Sequence, residues 1–239
     1  MKIIRKLSEK NQDIYGAKPV TIAFLGDSVT QGCYECYYKN DGRIETVYDR
    51  KYAYSTRVGE ILSLLYPAAQ VNIINSGVSG DSAAGGVGRF ERDVAAYSPD
   101  LVVIGFALND CCAGAEKINE YAANIKNLIE KSKKIGAEVV VLTPNMFNTE
   151  VSCHLKDERF RKMAAEFSAR QSVLDEYVGA LKETAKSEGV EICDVYDGWK
   201  RLYGGGVQIT ELLANKLNHP VRELHYYTAI KLVETFFRN

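Results

Sequence analysis

The chain has 239 residues, 46% hydrophobic and 26% charged, which is typical of a globular protein with one substantial core. Its 30 basic and 31 acidic residues leave a net charge of −1, which argues against nucleic acid or an anionic membrane as the main partner. No apolar run reaches the roughly 18 residues of a membrane span, and residues 1–13 lack a signal-peptide core, so we expect a cytoplasmic protein.

Five apolar runs are predicted to be β-strands. In chain order they cover residues 20–25, 71–74, 101–106, 138–142 and 190–194. The runs are continuous rather than alternating, as expected for a parallel sheet that is buried on both faces. Apolar residues at helical spacing lie between them. The alternation predicts an α/β fold, a single doubly wound five-stranded parallel sheet with flanking helices, in one domain spanning residues 1–239.

Two connections, residues 33–54 and 144–189, are longer than a minimal crossover. The first leaves the first strand and is rich in tyrosine and charge. It is interpreted either as a flap that lines a substrate site or as a solvated insertion packed on its own tyrosines. Both interpretations remain open at this point.

The six cysteines are expected to be free thiols in a reducing compartment. Cys33 and Cys36 have a CxxC spacing, but the remaining candidate zinc ligands, at positions 111–112 and 153–154, lack suitable spacing for a second pair. A redox CxxC should open a helix after a strand, whereas an apparent loop follows here.

The segment Gly26-Asp27-Ser28 directly follows the first predicted strand. Open α/β sheets bind their ligands at the carboxyl ends of such strands. Ser28 could be a nucleophile, a phosphate-loop hydroxyl or a helix cap. A carboxylate beside it would repel a bound phosphate, which disfavours a nucleotide-binding protein.

Three further blocks follow in order. Residues 75–81 and 107–110 come directly after the second and third predicted strands, and Asn218-His219-Pro220 lies near the C-terminus. In the order Ser, Gly, Asn, His, the chain resembles the SGNH hydrolases, also called the GDSL esterase/lipase family, from Val20 to about Tyr227. The resemblance implies a flavodoxin-like strand order and a serine ester hydrolase that needs no metal or organic cofactor.

The resemblance also implies a role for each block. Ser28 is the expected nucleophile and His219 its base, because a free serine hydroxyl is a poor nucleophile. The Ser28 and Gly80 N–H groups and the Asn109 amide are the expected oxyanion donors. Asp27 and Asp110 are interpreted as capping or supporting carboxylates.

The sequence departs from the family pattern in two places. Ala107 stands where the third block usually has glycine. Lys216 stands three residues before His219, where the family usually has the aspartate that orients the imidazole. A lysine cannot accept a hydrogen bond from Nδ1–H. A backbone carbonyl near Lys216 could do so instead, or a carboxylate from elsewhere. The candidate carboxylates are Glu211, Asp194 and Asp197.

The leading functional interpretation is therefore a serine esterase that acts on small acyl or acetyl esters. The tyrosines of residues 33–54 favour a carbohydrate ester, since aromatic faces pack on sugar rings. The alternative is a catalytically weak or inactive carbohydrate- or ligand-binding protein on the same fold, and Lys216 is the residue that keeps this alternative open.

Overall fold

The computed structural model describes residues 1–238 and contains a five-stranded parallel sheet of order β4-β1-β5-β6-β7, beside a two-stranded hairpin. The strands in chain order are β1 Val20–Gly26, β2 Cys33–Tyr38, β3 Ile44–Tyr48, β4 Val71–Gly77, β5 Leu101–Gly105, β6 Glu138–Leu142 and β7 Glu191–Cys193. The predicted fold class and strand order are confirmed, with strand bounds that differ by a few residues.

Helices cover both faces of the sheet. They are α1 Lys2–Gln12, α2 Ser28–Gln31, α3 Tyr54–Leu65, α4 Ala83–Asp93, α5 Ile118–Lys134, α6 Glu158–Ala169, α7 Gln171–Ser187, α8 Tyr196–Gly204 and α9 Arg222–Phe236. Within residues 1–238, none of them is both long and apolar enough to span a bilayer.

The continuous apolar runs of the strands reflect burial on both faces. Ala23 and Leu25 of β1 pack in a core with α4, α5 and α7. Their neighbours Ile22 and Phe24 point to the other face and pack with α1, α3 and α9. Because successive side chains of a strand point to opposite faces, a strand buried on both sides shows no polar alternation.

The three strands nearest the candidate site end at the same level. Gly26 is paired in register with Gly77 of β4 on one side and Gly105 of β5 on the other. A Cβ atom on Gly77 would overlap the backbone of Gln31, so glycine here lets α2 lie against the strand end. Since β4 and β5 lie on opposite sides of β1, α2 begins where the strand order reverses, which is where such sheets bind ligands.

The connection over residues 33–54 is more ordered than the sequence indicated. It contains the antiparallel hairpin of β2 and β3, in which Cys33 pairs with Tyr48 and Tyr38 with Ile44. The sequence indicated a loop after the first strand, and this expectation is wrong for the residues of β2 and β3. The CxxC cysteines lie on β2, and all six cysteines are free thiols, as expected.

Candidate active site

Ser28 is the first residue of α2 and is almost completely buried. The preceding Asp27 adopts an extended conformation, and its carboxylate accepts a hydrogen bond from the Val29 N–H at 2.9 Å. This is the N-cap arrangement expected for Asp27. The strand end and the cap together fix the backbone that carries the Ser28 hydroxyl.

His219 lies beside this hydroxyl. Its Nε2 is 3.0 Å from Ser28 Oγ, and its Nδ1 is 2.9 Å from the main-chain carbonyl oxygen of Tyr34. A carbonyl oxygen only accepts hydrogen bonds, so Nδ1 carries the proton and Nε2 is left to accept from the serine. Burial lowers the pKa of His219, against a smaller opposite effect of the Tyr34 carbonyl. The neutral tautomer required of a general base is therefore the one that the structure favours.

The other two histidines lie elsewhere. His225 is buried in α9, where its Nδ1 accepts from the Tyr54 N–H at 3.1 Å. The His154 N–H donates to the hydroxyl of Ser152, in the connection between β6 and α6. Ser28 thus has one histidine partner within residues 1–238, and it is the one that the sequence indicated.

The acceptor for Nδ1 differs from each candidate that the sequence offered. The expectation that a carbonyl near Lys216 accepts from Nδ1 is wrong. The acceptor is the carbonyl of Tyr34, which lies on β2, 185 residues before His219. The Lys216 ammonium instead pairs with the Glu211 carboxylate at 2.8 Å. The other two candidate carboxylates have basic partners of their own, Asp194 with Lys182 and Asp197 with Arg201.

A second asparagine, which the sequence reasoning missed, holds the histidine loop. The side-chain oxygen of Asn215 accepts from the N–H groups of Leu217, Asn218 and His219, at 3.1, 3.0 and 3.0 Å. Asn215 is buried, so these bonds are shielded from water. Asparagine and aspartate often bind nearby backbone N–H groups in turns, and that was the available signal.

The expected oxyanion donors lie on loops after β1, β4 and β5. Within residues 1–238, the N–H groups of Ser28 and Gly80 donate to no other group. The Asn109 amide donates one hydrogen to the Asp81 carbonyl at 2.8 Å, which leaves its second hydrogen for another acceptor. Gly80 has a φ of +79° and open space at its missing Cβ, so glycine is favoured here by backbone conformation rather than by close approach.

Arg89 was not anticipated from the sequence. Its guanidinium donates to the carbonyls of Gly26 and Ser76 at 2.9 and 2.6 Å, and to the Asp81 carboxylate at 2.6 Å. It therefore joins the ends of β1 and β4 to the loop that carries Gly80. A single arginine on α4 carries no sequence signal that distinguishes it from a surface residue.

Two carboxyl groups in this region, those of Asp27 and Asp110, have raised pKa values. Burial raises the pKa of Asp27 to about 7, with a further contribution from Asp110. Burial likewise raises the pKa of Asp110 to about 6, and its carboxylate accepts from the Ala83 N–H at the start of α4. Asp110 thus binds the first N–H of α4, whose N-cap is Ser82.

Ala107, at the position that is usually glycine, has a φ of +156°. This lies outside the ordinary dihedral angles of non-glycine residues.

Within residues 1–238, no three His, Cys, Asp or Glu side chains form a cluster able to hold a metal ion.

The GDSL-like lipase/acylhydrolase family matches residues 24–225. An acetylxylan esterase of Geobacillus stearothermophilus is 28% identical over 132 residues, which are 52% of this chain and 58% of that protein. An arylesterase of Vibrio mimicus is 31% identical over 80 residues, 34% of this chain and 40% of that protein. The chain thus matches 58% and 40% of the length of these two curated relatives.

Solved structures resemble the whole fold. The acetylxylan esterase of G. stearothermophilus superposes with a TM-score of 0.66 at 21% identity, over 92% of this chain and 95% of that one. An alpha/beta hydrolase enzyme from the Lake Arreo metagenome gives a TM-score of 0.67 at 18% identity, over 90% and 94%. Solved forms of the acetylxylan esterase include catalytic mutants in which a serine, a histidine or an aspartate is replaced by alanine.

Proposed function

Because the chain belongs to the GDSL-like lipase/acylhydrolase family, we propose that it is a serine esterase that hydrolyses small acyl or acetyl esters. The observation that carries this proposal is the 3.0 Å contact between Ser28 Oγ and His219 Nε2, with Nδ1 held by a carbonyl. A serine at a strand end with a neutral imidazole acceptor is the arrangement that nucleophilic ester hydrolysis requires.

In this mechanism, Ser28 attacks the ester carbonyl while His219 Nε2 takes the hydroxyl proton. The oxyanion that forms accepts hydrogen bonds from the Ser28 and Gly80 N–H groups and the free hydrogen of the Asn109 amide. His219 then returns the proton to the departing alcohol. Water, deprotonated by the same nitrogen, hydrolyses the acyl-enzyme and frees Ser28.

The catalytic unit is a dyad, with the Tyr34 carbonyl in place of a carboxylate. The carbonyl fixes the tautomer and the ring orientation of His219, but it stabilises the imidazolium with a dipole rather than a full charge. Burial already lowers the pKa of this histidine. We therefore expect His219 to be a weaker base than one paired with aspartate, and to be neutral at neutral pH.

A carbohydrate ester is the favoured substrate. Tyr37 and Tyr48 of the hairpin are about half exposed, at 51% and 55%. The hairpin carries the Tyr34 carbonyl of the site, so these rings lie on the same element as the catalytic acceptor. Aromatic rings offer flat apolar faces that can pack on a sugar ring. The acetylxylan esterase relative acts on an ester of this class, as its name states.

A hydrolysis panel tests the proposal. It compares acetyl, butyryl and octanoyl nitrophenyl esters with acetylated xylo-oligosaccharides and an acyl thioester. We expect the enzyme to hydrolyse the acetyl esters, with turnover that decreases as the acyl chain lengthens.

The second candidate is an inactive ligand-binding protein, which the absence of a carboxylate at position 216 favours. Binding of xylo-oligosaccharides without hydrolysis of any ester would support that candidate.

A further inference from the structure

We propose that Arg222 is the positioning residue of the dyad, because it holds the β2–β3 hairpin so that the Tyr34 carbonyl stays against Nδ1 of His219. The inference rests on the proposed function, since it assigns a part of the same site.

The acceptor for His219 lies on an element that the main sheet does not hold. Within residues 1–238, β2 and β3 form a separate two-stranded sheet that pairs with no strand of the central sheet. A lone hairpin is marginally stable in water. The position of the Tyr34 carbonyl therefore depends on the short link from α2 and on side-chain contacts between the hairpin and the rest of the molecule, including the packing of the buried Tyr34 ring on His225.

Arg222 contacts Tyr34, the neighbouring Glu35 and the residue that follows β3. Its Nη1 and Nη2 donate to the two carboxylate oxygens of Glu35, at 2.7 and 3.1 Å, in a bidentate pair. Its Nε donates to Asp49, directly after β3, at 3.1 Å. The guanidinium also lies 4.2 Å from the centroid of the Tyr34 ring. One side chain thus contacts a residue within β2, the residue directly after β3 and the ring of the residue that carries the acceptor.

Arg222 is also close to the histidine along the chain. It is the first residue of α9 and follows His219 by three positions. The body of α9 is anchored in the core by Ala229, Leu232 and Phe236. The start of α9 therefore positions both the hairpin and the imidazole. A common support of this kind can hold the Tyr34 carbonyl oxygen 2.9 Å from Nδ1 of His219, although the two residues are distant in the chain.

The pairing is better suited to positioning than to stability. The side chain of Arg222 is 28% exposed and those of its partners Glu35 and Asp49 are 46% and 30% exposed. Partly exposed ion pairs add little to the free energy of folding. A bidentate pair nevertheless fixes direction as well as distance, and a shift of about 1 Å in a catalytic group can cost on the order of 100-fold in rate.

The test compares Arg222→Gln and Arg222→Lys with wild type, using nitrophenyl acetate kinetics and the rate at which a fluorophosphonate labels Ser28. Arg57→Gln is the matched control. Arg57 also pairs with a carboxylate, that of Glu60 at 2.7 Å, and lies 4.7 Å from the Tyr52 ring centroid, but it makes no hydrogen bond to the hairpin.

We expect Arg222→Gln to lower kcat and the labelling rate at least about tenfold, with KM within about threefold. Arg222→Lys should be intermediate, because an ammonium cannot bind Glu35 in a bidentate fashion and reach Asp49 at the same time. Arg57→Gln should match wild type. An equal loss in Arg57→Gln, or a change confined to KM, would overturn the assignment.

The outcomes separate this inference from the proposed function. If wild type is not labelled, the proposed esterase fails. If wild type is labelled and Arg222→Gln is labelled at the same rate, the esterase stands and the positioning role is refuted. If Arg222→Gln does not fold, the Glu35→Gln variant tests the positioning role instead. It removes the bidentate carboxylate on the solvent side, and unchanged kcat and labelling in that variant would equally refute the role.

Discussion

The main-chain oxygen of Tyr34 lies 2.9 Å from Nδ1 of His219, at the nitrogen to which a catalytic triad presents a carboxylate. A carbonyl can fix the tautomer and direction of the ring as well as a carboxylate can. It differs in charge, so the imidazolium formed during catalysis receives less stabilisation. The absence of aspartate at position 216 is therefore compatible with an oriented base.

Replacing Asn109 with alanine should lower kcat by roughly 10²–10³-fold, because one oxyanion donor is lost. KM should change less, since the donor acts mainly as negative charge develops on the substrate. Steady-state kinetics on nitrophenyl acetate check this. An effect confined to KM would assign Asn109 to ground-state binding, or to holding the Asp81 carbonyl that its other hydrogen contacts.

Lys216→Ala should change kcat/KM by less than about tenfold, equivalent to about 1.4 kcal/mol. The reason is that the Lys216 ammonium pairs with Glu211, and Nδ1 of His219 is already occupied by Tyr34. Glu211→Ala is the matched variant, because it removes the other half of the same pair, and it should behave alike. A severe loss in Glu211→Ala, with the fold intact, would mean that this carboxylate reaches His219 during catalysis.

Asp27→Asn should stabilise the protein above pH 7. The folded state raises the pKa of Asp27 to about 7, so between about pH 4 and pH 7 the unfolded chain releases a proton that the folded chain keeps. Stability then falls as the pH rises through this window. Asparagine is also a good N-cap and carries no charge. The expected gain at pH 8 is on the order of 4 kcal/mol, against almost none at pH 4.

Urea unfolding at pH 4 and pH 8 measures this gain. Asp157→Asn is the control, because Asp157 also caps a helix, α6, but is partly exposed and has its pKa lowered to about 2 by Arg159. That substitution should not stabilise the protein at pH 8. A gain for Asp27→Asn that is equal at both pH values would contradict burial of the charged carboxyl as its cause.

The parts of the fold that the sequence predicts are those that residue type controls directly. Strands buried on both faces are apolar at nearly every position, as β1 is apart from the half-buried Thr21, so their runs are visible in the sequence. The polar blocks that follow three strands meet because parallel strands end at one edge of the sheet. The pairing of Ser28 with His219 has a different source, the resemblance to the family, because the block that contains His219 follows no strand of the sheet.

The remaining parts depend on the main chain or on long-range contacts. Tyr34 contributes through its carbonyl, which every residue has, so its side chain gives no signal. Arg89 and Arg222 each join segments distant in the chain, and arginine is equally common on exposed helix faces. The hairpin was missed because the strand β2 mixes tyrosine, cysteine and glutamate, and is buried only at its start.

The most direct test of the account is to locate the acyl-enzyme. Wild type, Ser28→Ala and Ser63→Ala are treated with a fluorophosphonate, and intact mass and peptide mapping identify the modified residue. Ser63 is an exposed serine of α3 whose hydroxyl donates to the Gly59 carbonyl, so it serves as the control. The account predicts one adduct, on Ser28, in wild type and Ser63→Ala, and in Ser28→Ala no adduct and a loss of kcat of at least about 10³-fold. An adduct on another residue, or near-normal ester hydrolysis by folded Ser28→Ala, would contradict it.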